Sequence, residues 1–255
     1  MRPVAPIHVT HLFAPLNDEL VALLRSLSAT EWNTPTVAGA WTVKDVAAHL
    51  LDTTLRRLSM HRDGHTPPLP PRPDFINAMN AEGVAVLRRL SPEMLTEMHE
   101  RYGREMADFF ATLDPFAPAK WGVSWAGEEE SPNWFDVARE LTERWHHQQQ
   151  IRDATGRPPL YEPYLAPVLE TFVRAIPFTY RDVECGPVVL RIEDAAWSLV
   201  DGALYAGAAE APAVTIALTG DIAWRLFTRQ RIDPAATIEG DAQLAEPLLH
   251  MVSIV

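Results

Sequence analysis

At 255 residues, with 47% apolar and 22% charged side chains, the chain is long enough for one large or two ordinary globular domains and too apolar for a disordered one. A formal net charge of −12 argues against a nucleic-acid or anionic-membrane partner, either of which needs a basic face. A single cysteine, Cys185, allows no internal disulfide and no cysteine metal cluster, and MRPVAPIHVTHLF at the start lacks the basic and apolar regions of a signal peptide. With no run near the roughly 18 apolar residues of a membrane span, the expectation is a cytoplasmic protein, monomer or homodimer, acting on a small molecule.

The predicted elements begin with a helix from Thr10 to about Ser26, where leucines recur at three- and four-residue steps. Residues 29–40 connect it to a second helix. Thr42 followed by Asp45 three residues later has the form of a capping box, and the helix runs on to Gly64. Its core positions are Val43, Val46, Leu50, Leu55 and Leu58, with His49 placed among them. HTPPLPPRP (65–73) is a loop, because adjacent prolines cannot continue a helix. Further helices are expected over 74–90 and 92–113, the second opened by Ser91-Pro92. An irregular connection at 114–131 has the length of a functional lid or of a surface excursion. A long helix then runs from Pro132 to Thr155 and closes at Gly156.

Beyond Pro163 the pattern changes. A helix over 164–176 precedes runs with strand character at 187–192, 196–205 and 213–218, a helix at 221–230, a short strand at 236–239 and a helix at 242–252. The expected architecture is a mainly helical N-terminal part, an antiparallel four-helix bundle with one broken helix, followed by a smaller α+β domain. The division is placed at 1–160 and 161–255.

The chemistry centres on Glu143-Arg144-Trp145-His146-His147. A carboxylate and an imidazole four residues apart share one helix face, the way one helix often supplies two metal ligands. His146 points about 100° away from His147. By itself the pair is a common accident, and a lone His49 on an apolar face reads more simply as a hydrogen-bonded core residue. Gln150 lies on the side of His147, where it suits support of a ligand. Arg56 lies two turns along from His49, to bind an anion or to pair with an acid.

The run Trp41-Thr42-Val43-Lys44-Asp45-Val46-Ala47-Ala48-His49-Leu50, together with Glu143-x-x-x-His147 and the helix end Arg152-Asp153-Ala154-Thr155-Gly156, resembles the DinB-like bundles. More closely it resembles the N-terminal domain of mycothiol-dependent maleylpyruvate isomerases. Residues 216–221 and 238–245 are similar to the sterol-carrier-like domain found with that bundle. The resemblance implies a divalent metal, zinc first with nickel or iron acceptable, held by His49, Glu143 and His147. It further implies a low-molecular-weight thiol as co-reactant and an arginine lent by the C-terminal domain, for which Arg225 and Arg229 are the candidates. Arg56 and Gln150 are the candidates for contact with the thiol cofactor. Two imidazoles and one carboxylate suit such an ion and leave a fourth position open. The alternative function is a hydrophobic-ligand carrier, or a protein that keeps its metal for stability without turnover.

Overall fold

The computed structural model describes residues 1–68, 75–230 and 235–254. The chain is mainly helical in its first part and α+β in its second. Part of the expected loop at 65–73, and the first residue of the helix expected at 74–90, lie outside the described residues. Among the described residues no helix is long and apolar enough to cross a membrane.

The helices of the first part are α1 (Phe13–Arg25), α2 (Val43–Arg56), α3 (Phe75–Leu87), α4 (Pro92–Ala111) and α5 (Asn133–Ala154). Thr42 caps α2 as the spacing predicts: its hydroxyl accepts from Asp45 N–H, and the Asp45 carboxylate accepts from Thr42 N–H at 3.1 Å. The other Asp45 oxygen takes Arg88 at 2.8 Å, which ties the start of α2 to the end of α3. Past Arg56 the helix widens into a π-helical stretch, Arg57–Arg62, which the residue pattern does not reveal. α2 packs on α3 and α4, and α1 packs along α4. The core between them includes Leu20, Leu24, Val46, Leu50, Leu51 and Leu95.

Two compact units share the chain. The helical unit is His8–Lys120 with Glu143–Tyr161, and the other is Met1–Ile7, Trp121–Thr142 and Glu162–Val255. The second unit therefore takes in the connection after residue 120 and the first turns of α5. That connection is folded rather than a bare excursion: Val123 N–H donates to Ser131 Oγ at 3.0 Å, and buried Trp125 packs edge-on against Phe135.

The α+β unit carries α6 (Leu165–Phe172), α7 (Ile176–Thr179), α8 (Gly220–Phe227) and α9 (Glu246–Leu249). Its strands are β1 (Arg2–Pro3), β2 (Val188–Ile192), β3 (Ala195–Val200), β4 (Ala203–Ala206), β5 (Val214–Leu218) and β6 (Thr237–Gly240), in the order β1-β4-β3-β2-β5-β6. Only β2 and β5 run parallel among these pairs. Three expectations need correction. The run 196–205 is two strands, because Asp201 and Gly202 both take positive φ (50° and 76°), the geometry of a tight hairpin turn. The helices expected at 164–176 and 242–252 are each broken into shorter pieces, where Pro177 and Pro247 cannot extend the preceding hydrogen-bond ladder. β1, two residues long, has no periodicity to detect and exists through its pairing with Tyr205 and Ala206.

Candidate metal centre

α2 brings His49 and α5 brings Glu143 and His147, all within the helical unit. On α5 the four-residue spacing stacks Glu143 and His147 on one face. The two helices are held in axial register by Arg144, the neighbour of Glu143, which points to α2 and donates to Thr54 Oγ1 at 2.9 Å. That bond sits one and a half turns beyond His49, so it sets which part of α2 meets Glu143.

One ligand atom from each of His49, Glu143 and His147 lies within 4.8 Å of the others. His49 Nε2 is 2.8 Å and His147 Nε2 is 3.2 Å from the same oxygen, Glu143 Oε1. Donors around a tetrahedral ion at about 2.0–2.1 Å stand about 3.3 Å apart. The set fits a divalent ion after a small outward movement, and its two imidazoles and one carboxylate are the right chemistry for zinc, nickel or iron. His147 Nδ1 lies 2.7 Å from Gln150 Oε1, so the ring donates its Nδ1–H there, and Nε2 is the nitrogen that faces Glu143. His49 Nδ1 is sealed from solvent without a hydrogen-bond partner among the described residues, leaving Nε2 as the one engaged face of that ring.

Electrostatics keep His49 neutral and Glu143 ionised. Burial pushes the His49 imidazole below its ordinary pKa, against the pull of Glu143, so the ring is neutral near pH 7. Burial alone would raise the Glu143 carboxyl. The charge and hydrogen bond of His147, the hydrogen bond from His49 and the charge of His146 outweigh that and hold it well below the usual carboxylate range. Both histidines are almost fully buried, while 23% of the Glu143 side chain remains accessible.

The remaining candidates fall in different places. Gln150 is at the centre, as an acceptor for His147. Arg56 lies on α2 with its guanidinium 2.8 Å from Asp52 and bonded to Asn80 Oδ1, the ion-pair alternative of the two open for it. Arg225 and Arg229 belong to the α+β unit. Arg225 lies against Asp221 at 3.0 Å and over the Trp224 ring, and Arg229 is exposed with a left-handed backbone just after α8.

Two aromatic rings flank the ligands. His146, pointing away from His147 by helical phase, is the neighbour its adjacency implies: its ring is tilted by 34° to His147 with centroids 4.1 Å apart, and its Nδ1 is 3.9 Å from Glu143 Oε2. Trp41, which no sequence feature marks as part of the site, lies 4.9 Å from the His49 ring and 6.3 Å from the His147 ring, centroid to centroid. Adjacency in sequence marks the first, and the second has no signal beyond its place beside the α2 cap.

Fold and site together define a class: a helical protein that turns two imidazoles and one carboxylate from two helices toward one point, followed in sequence by an α+β part. The family model of the mycothiol maleylpyruvate isomerase N-terminal domain matches residues 13–152, more than half of the chain, and the chain belongs to that family. Two similar solved structures are the mycothiol-dependent maleylpyruvate isomerase and a histidine-to-alanine mutant of it. They align with TM-scores of 0.58 and 0.59 at 16% and 15% identity, over 90% of this chain and of theirs. At that identity the likeness establishes a shared fold. No curated protein matches the chain significantly.

Proposed function

We propose that the chain is a metal-dependent enzyme that uses a low-molecular-weight thiol to isomerise a small electrophilic unsaturated acid of the maleylpyruvate type. The observation that carries this reading is the convergence of His49, Glu143 and His147 on one point, with His147 held in its ligating tautomer by Gln150. Family membership supplies the thiol and the substrate class.

In this reading His49 Nε2, His147 Nε2 and Glu143 Oε1 hold one divalent ion, zinc by preference. When bound, such an ion lowers the pKa of a thiol or water presented at its open position. The protein's own groups prepare that position. The Glu143 carboxylate stays ionised and offsets part of the cationic charge, so a second anion is still attracted. The buried imidazoles keep water from the flanks of the site, where a nucleophile is strengthened by a low local dielectric. The addition itself asks little else of the protein: a thiolate attached to a cis double bond permits rotation to trans, and its departure restores the alkene.

The test is a thiol panel (mycothiol, bacillithiol, glutathione) with maleylpyruvate, run on zinc-, nickel- and iron-loaded protein and on metal-free protein. The expected result is cis–trans conversion with at least one thiol, lost on chelation and absent in His147→Ala. Metal binding without turnover by any thiol would leave the centre as a stabilising site.

A further inference from the structure

Trp41 is mounted differently from the other tryptophans. Its carbonyl accepts from both the N–H and the hydroxyl of Thr36, at 2.9 and 2.8 Å, and its own N–H donates to Ala38 O at 3.1 Å. A bridge between Pro35 and Thr42 closes the loop, and Thr42 is the cap of α2. The backbone that carries the indole is therefore fixed beside the start of the helix that carries His49. It is tilted by 39° to the His49 ring and by 38° to the His147 ring, and so stands along both imidazoles.

For all that anchoring, the side chain is only half-buried. Buried indoles generally find an acceptor for their N–H. Trp145 Nε1 donates to Leu160 O and Trp224 Nε1 to Asp221. Trp41 Nε1 donates to no group among the described residues, and it is not among the atoms sealed from solvent, unlike Trp125 Nε1. Trp41 also packs on the edge of the helical core, a role that does not account for the unclaimed donor beside two ligand rings. A flat π face and a free N–H, fixed within reach of a metal centre, are what a planar carboxylate requires.

We propose that Trp41 is the specificity-determining wall of this site, taking planar, conjugated carboxylates in preference to saturated, flexible ones. The assignment rests on the metal-centre reading above. A conjugated acid lies against the indole with its π system in contact and few rotors to freeze, while its carboxylate accepts the Nε1 proton. A saturated acid of the same charge has no π face to offer. Aromatic contacts of this kind are worth about a two- to tenfold difference in affinity.

The experiment uses the full-length zinc-loaded protein, its metal content measured first, with maleate and succinate as calorimetric probes. Wild type and Trp41→Phe are expected to bind maleate about two- to tenfold tighter than succinate. Trp41→Leu is expected to keep its metal and bind the two acids equally. In wild type, maleate should quench part of the tryptophan fluorescence and succinate should not, and that quenching should vanish in Trp41→Phe, which separates Trp41 from the chain's other seven tryptophans even if Trp41→Leu does not fold. A preference that survives in metal-loaded Trp41→Leu, or a metal-loaded wild type showing neither preference nor quenching, overturns the wall. Wild type that takes up no zinc overturns the metal-centre reading and the wall with it.

Discussion

The side-chain oxygen of Gln150 lies 2.7 Å from Nδ1 of His147, one turn along the same helix. Because an amide oxygen only accepts, this contact places a ring proton on Nδ1 and leaves Nε2, the nitrogen that faces Glu143, as the one that can offer a lone pair to an ion. Gln150→Leu keeps the volume and removes the acceptor. It should weaken zinc binding about 10- to 100-fold, the usual effect of losing such a partner, in competition against a chromophoric chelator. Gln150→Glu, which retains an acceptor, should bind at least as tightly as wild type. Equal zinc affinity in Gln150→Leu and wild type would show that the ring needs no such help.

Metal removal should be visible in stability. An ion present at about 100 times its dissociation constant stabilises the folded chain by about 2.7 kcal/mol. For a chain of this size that corresponds to a fall of about 5–10 °C in melting temperature on chelation. His49→Ala and His147→Ala should contain no stoichiometric metal and should show no such fall. A chelator-sensitive melting temperature in both variants would place the ion elsewhere.

His99 makes the pH dependence of folding predictable. It is fully buried on α4 and donates Nε2–H to Ala47 O at 2.9 Å. Burial, helped by the charge of Arg144, pushes the ring down to about 4. The unfolded ring takes its proton near 6.5. Between these values the unfolded state holds the extra proton, so the contribution is whole above about pH 6.5 and is lost as pH falls through about 4. The full loss is about 3 kcal/mol. Denaturant unfolding of metal-free protein from pH 7.5 to 4.5 should show a slope shallower by about one proton in His99→Gln than in wild type. Identical slopes would mean that His99 already carries its proton in the fold.

Gly83 on α3 has no room for a side chain, since a Cβ there would lie 2.2 Å from Asp52 Cγ on α2. Gly→Ala in a helix interior ordinarily stabilises by about 1 kcal/mol. Here overpacking should reverse the sign and cost about 1–3 kcal/mol. In an Asp52→Ala background the same substitution should cost less, and additive effects in the double mutant would separate the two sites.

What the sequence revealed of this centre came from helical spacing. Thr42 and Asp45 announce the start of α2, which puts His49 in phase with the buried leucines, and the four-residue step from Glu143 to His147 puts both on one face of α5. These relations need only a helix to be true. The contacts that were not legible all depend on how separate segments meet: Trp41 on His147, Arg144 on Thr54, His99 on Ala47 O. Asp201-Gly202 was a different failure. The dipeptide is a strong turn signal, and the apolar residues on both sides of it concealed the hairpin. The π-helical stretch after Arg56 had no comparable mark.

On its other side α5 is sewn to the chain that follows it. Gln149 donates to Leu160 O at 3.1 Å and accepts from Leu160 N–H at 3.0 Å, a side-chain amide pairing as a neighbouring strand would, and Trp145 Nε1 donates to the same carbonyl at 2.7 Å. These residues alternate along the helix with Glu143 and His147. The segment bearing two of the three donors is thus clamped before any ion arrives, and its conformational entropy is lost during folding rather than at capture. Ion uptake should then resemble the filling of a rigid chelator more than the closing of a flexible one. Loosening the Leu160 clamp, far from any donor atom, would return that entropy to the binding step and weaken the centre without touching a ligand.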